Sequence, residues 1–163
     1  MGIPILFEGP EGNNGYLSND FVCDFDVNGV TFKTMTQYLG YSKAMLFKDK
    51  ASADRILATD DCDTIRLLEN GISGYNENIW VQNRETILYN GLKAKFSQDL
   101  ILRGKLVATG MEQIGKTGLN DRVWGINLAA NDPKRQNKAN WRGMNLLGKN
   151  LMRLRIELKR ELG

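Results

Sequence analysis

Leu147, Leu151, Leu154, Leu158 and Leu162 recur at gaps of four, three, four and four residues in a closing segment otherwise rich in Lys, Arg, Glu and Asn. At 3.6 residues per turn this spacing puts them on one side of a helix from about Met144 to Leu162. Such a helix must bury its stripe, so the chain needs a layered core with this helix as one wall. A length of 163 residues is enough for one domain with a sizeable core, spanning residues 1–163.

The remaining elements follow from period and punctuation. IPILF, residues 3–7, reads as a short strand, and EGPEGNNG as a turn-rich loop. Asn28-Gly29 between Val27 and Val30 is the signature of a tight hairpin. Thr34 or Thr36 can then cap a helix through about residue 48. SADRILAT and DTIRLLENG read as two short helices, with Asp63 able to cap the second and Gly71 ending it. The longest helical pattern before the terminus carries Trp80, Ile87, Leu88, Leu92 and Phe96. DLILRGKLVAT is a further helix that stops at Gly110. Residues 111–128 look like short strands and loops, with Asp121 and Trp124 flanking a strand, and residues 129–142 like a polar, basic loop. The fold class is α+β, a single mostly helical domain with a small sheet.

The chain has no histidine. That excludes a Ser-His-Asp or Cys-His catalytic pair and any zinc site built on imidazole. Proton transfer must fall to carboxylates, lysine, tyrosine, backbone groups or the substrate. Cys23 and Cys62 fit no CxxC pattern and read as free thiols of a reducing, cytoplasmic setting. The N-terminus lacks the features of a signal peptide, and no apolar run approaches the roughly 20 residues that span a bilayer. A net charge of +3 suits a phosphate-bearing ligand but is no nucleic-acid footprint by itself. Nothing calls for a metal or a cofactor: Asp60, Asp61 and Asp63 lack the glycine and distal glutamate of a calcium loop.

Residues 110–117, GMEQIGKT, match the phosphate-binding Walker A pattern. That loop works only between a preceding strand and a helix that opens on Lys-Thr. Here a helical segment precedes it and GLNDRVWGI follows, so the stretch is expected to be a turn between two strands.

Four other places carry residue types that a core does not need. Ser18 and Asn19 sit in a loop before a strand, where turn formation alone could explain them. Trp124 beside Asp121 could stack on a base or sit partly buried. Lys134, Arg135, Lys138 and Arg142 crowd round Trp141, and Gly143 with the amides of the last helix could receive an anion. Trp80 and Arg84 are four apart and share a helix face, so Arg84 could hold a phosphate or stack on Trp80. Lys43, among Tyr38, Tyr41 and Phe47, either snorkels to solvent or contacts a phosphate.

Taken in order, these pieces resemble the NADAR family, also called YbiA-like, from about Phe7 to Leu162. The motifs that carry the resemblance are Leu17-Ser18-Asn19, the Val27-Asn28-Gly29 hairpin, the Thr34–Tyr38 helix start with Lys43-Ala44, Trp80 with Arg84 and Ala94-Lys95-Phe96, Thr109-Gly110, Asn120-Asp121 with Trp124-Gly125, and the run from Gly143 through Asn145 to Arg155. The resemblance implies N-glycoside hydrolysis on ADP-ribose or NAD-derived ligands, in riboflavin-pathway intermediates or ADP-ribosylated guanine. It implies that Asn19, Lys43, Trp80, Arg84, Asp121 and Trp124 line the cleft; Gly125 and Asn145 of the same motifs, and Arg142 of the basic loop, are further expected ligand-binding positions.

The sequence departs from the family at a telling place. Thr36 stands where relatives carry the glutamate regarded as the catalytic carboxylate, and a hydroxyl handles protons poorly near neutral pH. Asn127 stands where many relatives have Gly or an acidic neighbourhood, and Asp20 where an aromatic is common. Two readings follow. One is an N-glycosidase in which Asp121 or Asp20 takes over from position 36. The other is a catalytically impaired protein that binds or sequesters an ADP-ribose-like or cyclic nucleotide. The expected partner is such a phosphorylated nucleotide, with ADP-ribosylated nucleic acid a further candidate, and no membrane. A P-loop nucleotide hydrolase is the weakest reading.

Overall fold

The computed structural model describes residues 2–162. Its elements are β1 (Ile5–Phe7), β2 (Phe25–Val27), β3 (Val30–Phe32), α1 (Met35–Leu46), α2 (Lys50–Leu57), α3 (Cys62–Asn70), α4 (Glu77–Gln98), α5 (Leu100–Ala108), β4 (Ile114–Lys116) and α6 (Leu146–Leu162). The architecture is α+β and mostly helical, as expected, with four short strands in two pairs. The chain divides into two compact units: Val22–Lys95, and Met1–Phe21 with Phe96–Gly163.

In the unit Val22–Lys95, Asn28 and Gly29 take φ of +50° and +82°, the pair of left-handed residues that a tight hairpin needs. They set β2 antiparallel to β3 with Val27 facing Val30. Thr34 is the cap of α1, accepting from the amide of Gln37 at 3.0 Å. Thr36 is instead buried in the helix's first turn. Gln37 reaches back to accept from the Lys33 amide at 2.8 Å and donates forward to the Thr59 carbonyl at 2.8 Å. One buried amide thus fixes both the start of α1 and the end of α2. Asp61, rather than Asp63, caps α3 by accepting from the Thr64 amide at 3.0 Å. Asp63 lies within the first turn of α3 and pairs with Arg66 at 2.9 Å. Ala44, Ala53, Ile56, Ile65 and Ile72 form the core under α1, α2 and α3. Gly91 of α4 is a packing requirement, because a Cβ there would lie 2.3 Å from the Tyr38 ring.

In the other unit, β1 and β4 run parallel, with Phe7 opposite Lys116. The leucine stripe of α6 is buried from Leu147 through Leu158, while Leu162 is 60% exposed. The stripe therefore ends one turn before the sequence spacing predicts. Asp99 caps α5 by accepting from the amides of Ile101 and Leu102. Arg155 is buried on α6 and donates to the Thr109 hydroxyl and the Glu112 carbonyl, each at 2.9 Å. Burial holds its pKa below the usual guanidinium value.

The Walker look-alike is resolved by this geometry. α5 ends at Ala108, Gly110 turns the chain with φ of +67°, and Ile114-Gly115-Lys116 is itself β4. No helix opens directly after Lys116-Thr117. The segment is neither a phosphate cradle nor a turn between two strands, but a turn that joins a helix to a strand.

Candidate functional site

The expected site residues form two groups, each within one unit. In the unit Val22–Lys95, Lys43 of α1 points its ammonium at Glu69 of α3, 3.2 Å away. The same nitrogen lies 4.7 Å from the Tyr75 ring centroid and 5.1 Å from that of Trp80. Lys43 therefore does not snorkel: its side chain is 13% exposed, in a box of one carboxylate and two aromatic faces. The Tyr75 hydroxyl donates a hydrogen bond to Glu77, and this bond, helped by burial, pushes its pKa up to about 12 against the opposing charge of Arg84. Trp80 is buried, and Thr36 is a buried neutral group in a helix turn that contains no acid. Glu69 and Tyr75 are missing from the sequence-based set. No local pattern marks them, because α3 and the Ser73–Asn76 loop meet Lys43 only through the fold.

The second group is built by one loop. Residues 120–128 form no strand, contrary to the sequence reading. They are zipped onto the start of α6 instead. The amides of Arg142 and Gly143 both donate to the Ile126 carbonyl at 2.9 Å, and those of Met144, Asn145, Leu146 and Leu147 donate to the carbonyls of Arg122, Gly125, Val123 and Trp124 at 2.7–3.1 Å. The amides expected to receive an anion are thus already occupied by the chain, and this end of α6 is no anion site.

That zipper positions Asp121. Its Oδ2 pairs with the Lys116 ammonium, and its Oδ1 accepts from the Trp124 amide at 3.2 Å. Gly125 is obligatory beside it, because a Cβ there would lie 2.7 Å from the Lys116 carbonyl and 3.1 Å from Asp121 Oδ2. Asn145, buried and in the left-handed region at φ of +51°, clasps β4 by donating to the Ile114 carbonyl at 2.9 Å and accepting from the Lys116 amide at 3.3 Å. Asn127 likewise holds φ of +56°, the conformation that glycine favours and asparagine tolerates, and accepts from the Asn120 amide at 2.8 Å. The Arg142 side chain is exposed. Asp20 donates its amide to Ser18 Oγ at 3.1 Å, and Asn19 Oδ1 is buried with no hydrogen bond from the protein. Lys116, which the sequence offers as a Walker lysine, is the counter-ion of Asp121.

A family model described as the NADAR domain matches residues 6–159. The chain belongs to the NADAR family. Among NADAR relatives it is 34% identical over 121 residues to an N-glycosidase of Acanthamoeba polyphaga mimivirus, covering 74% of this chain and 71% of the relative. It is 27% identical over 154 residues to the N-glycosidase YbiA of Shigella boydii, covering 94% and 88%. It is also 26% identical over 159 residues to a riboflavin biosynthesis protein of Vibrio vulnificus, covering 98% of this chain but 40% of that protein. The NMR structure of Escherichia coli YbiA superimposes with a TM-score of 0.80 at 26% identity, over 97% of this chain and 86% of that one. The NADAR fold therefore accounts for the α+β architecture. No helix of the described residues is long and apolar enough to cross a membrane. Among those residues no group of three or more His, Cys, Asp or Glu side chains is arranged to hold a metal ion.

Proposed function

We propose that this chain is an N-glycosidase that hydrolyses the ribose–nitrogen bond of an ADP-ribosyl nucleotide, such as ADP-ribosylated guanine, or of a related nucleotide N-glycoside. The observation that carries the reading is the placement of Asp121 in a NADAR chain: a carboxylate fixed by Lys116, by the Trp124 amide and by the bare face of Gly125. Ribose–nitrogen cleavage develops positive charge on the sugar, and a fixed carboxylate stabilises it without reorganising. Within the unit that carries Asp121, Trp124 supplies a ring face for a base, and the orphaned acceptor of Asn19 awaits a ligand donor; within the unit Val22–Lys95, Lys43 and Arg84 supply positive charge of the kind a phosphate needs. Two relatives bear the name N-glycosidase, which supports the reaction class but not the aglycone.

One feature favours the second reading, a nucleotide binder without turnover: Thr36 is a buried hydroxyl in a first helical turn that holds no acid. A mass balance separates the two. Pure protein is incubated with ADP-ribose, NAD, ADP-ribosylated guanosine and a riboflavin-pathway N-glycoside, and free base and retained ligand are measured by chromatography. Base released beyond one equivalent establishes the hydrolase, and Asp121→Asn should then lower the rate by roughly 10²–10³-fold. Retention of one intact ligand without release establishes the binder.

A further inference from the structure

Cleavage of an N-glycoside by water needs two services: a negative group beside the sugar, and a group that takes the water's proton. Asp121 is suited to the first and poorly placed for the second. One oxygen already holds the Lys116 ammonium, the other holds the Trp124 amide, and the carboxylate is packed against Gly125. Another carboxylate stands beside it. Glu8 follows β1, and the parallel register of Phe7 with Lys116 sets it next to Thr117, whose hydroxyl donates to Glu8 Oε1 over a long 3.4 Å. Gly118, with φ of +146°, leaves the space between them open: a Cβ there would lie 3.8 Å from Glu8 Oε1, 3.8 Å from Lys116 Nζ and 3.7 Å from Asp121 Cβ. The Glu8 carboxylate, the Lys116 ammonium and the stem of Asp121 thus border one open spot, and the Asp121 carboxylate is tied to that spot through Lys116.

Glu8 also borders a cavity of about 350 Å³, lined by Phe7, Asn14, Thr117, Arg135 and Gln136 among others. That volume is at the lower end of the range that accepts a small organic ring. Its walls are mixed, with apolar Ile3 and Leu6 beside amide and guanidinium groups. This suits a planar heterocycle with polar edges.

We infer that Glu8 is the catalytic carboxylate that takes the proton from the attacking water, and that the adjoining cavity holds the departing base. The inference rests on the hydrolase reading above. In the step, the water oxygen bonds to the anomeric carbon and the carbon–nitrogen bond breaks. Its electron pair goes to the base nitrogen, which takes a proton from solvent. The water's proton goes to the Glu8 carboxylate, and Asp121 faces the charge that develops on the ribose.

The test compares wild type, Glu8→Gln, Glu8→Asp and, as a control in the same loop, Glu11→Gln. Base release is followed from ADP-ribosylated guanosine and from NAD across pH, ADP-ribose affinity is measured by calorimetry, and melting is recorded for each variant. Glu8→Gln should lower kcat by roughly 10²-fold or more and remove the acidic limb of the pH–rate profile. Its ADP-ribose affinity should stay within about threefold and its melting temperature should be unchanged, with Glu8→Asp retaining part of the rate. A purely structural role would move melting and affinity together with kcat. A Glu8→Gln kcat within about threefold of wild type overturns the inference and leaves the hydrolase reading standing. A wild type that retains ADP-ribose but releases no base from either substrate overturns both.

Discussion

Gly143→Ala should cost this protein far more than a methyl group ordinarily does, and the reason lies in the zipper that holds Asp121. A Cβ on Gly143 would lie 2.0 Å from the Gly125 carbonyl oxygen and 3.0 Å from that of Asp121. Both are backbone atoms that cannot rotate aside, so the 120–128 loop must retreat by roughly 1 Å or more to restore ordinary contact. Overpacking of this kind costs about 1–3 kcal/mol. One or two of the amide–carbonyl bonds that join residues 142–147 to 122–126 would lengthen, at about 0.5–1.5 kcal/mol each. The total is about 1.5–6 kcal/mol. For a chain of this length each kcal/mol moves the midpoint by about 2–4 °C, so melting should fall by roughly 3–24 °C.

The matched control is Gly104→Ala in α5, where a Cβ meets nothing within 4 Å. There the gain in helix propensity, about 1 kcal/mol, should raise the midpoint by about 2–4 °C. Melting by circular dichroism reads both variants. Base release at a temperature where Gly143→Ala is still folded should also fall, because the displaced loop carries Asp121. A midpoint for Gly143→Ala within 2 °C of wild type, or a Gly104→Ala variant that falls as far, would refute the claim that this loop is held by close backbone approach.

Lys43 of α1 and the rings around it, Tyr75 of the loop before α4 and Trp80 of α4, make two further predictions. Lys43→Met keeps the aliphatic stem and removes the ammonium, so ADP-ribose affinity should drop at least about tenfold, while melting moves by no more than about 4 °C; equal affinity would remove Lys43 from the phosphate-binding set. Tyr75, pushed up to about 12 chiefly by its bond to Glu77, favours its neutral form in the folded state, so its contribution to stability is full below pH about 10 and is lost as pH rises towards 12. Ultraviolet titration of Glu77→Gln should show one of the five phenols ionising at lower pH than in wild type, and superimposable curves would dismiss the Tyr75–Glu77 bond.

Much of the fold was legible because local signals and long-range packing agree. Asn28-Gly29 demands two positive φ angles and has them, and the buried part of the leucine stripe on α6 matches its spacing. The misreadings have specific causes. Asp61 and Asp63 are equivalent cap candidates by residue type, and only the start of α3 at Cys62 separates them. Residues 120–128 alternate enough to suggest a strand, but Asn120 and Asn127 both hold positive φ, which breaks any ladder. Residues 110–117 satisfy a motif whose chemistry depends on the elements around it, and those elements are the wrong ones.

The sequence names candidate site residues one by one but not their arrangement, and the difference is a matter of register. Asp121, Trp124 and Gly125 are neighbours in sequence, so a motif can name them together. Glu8 is more than a hundred residues from Asp121, and only the parallel pairing of Phe7 with Lys116 carries it to Thr117 and Gly118. A one-residue slip in that pairing would turn Glu8 to the other side of the strand pair and separate it from Lys116. The register is held from two sides: the Thr117 amide donates to the Phe7 carbonyl at 2.8 Å, and Asn145 bonds both the Ile114 carbonyl and the Lys116 amide. Asn145 therefore holds the strand on which these charges meet. In the proposed hydrolase its contribution would pass through that strand, and this is the sense in which a buried asparagine with a left-handed backbone can matter to chemistry that it never touches.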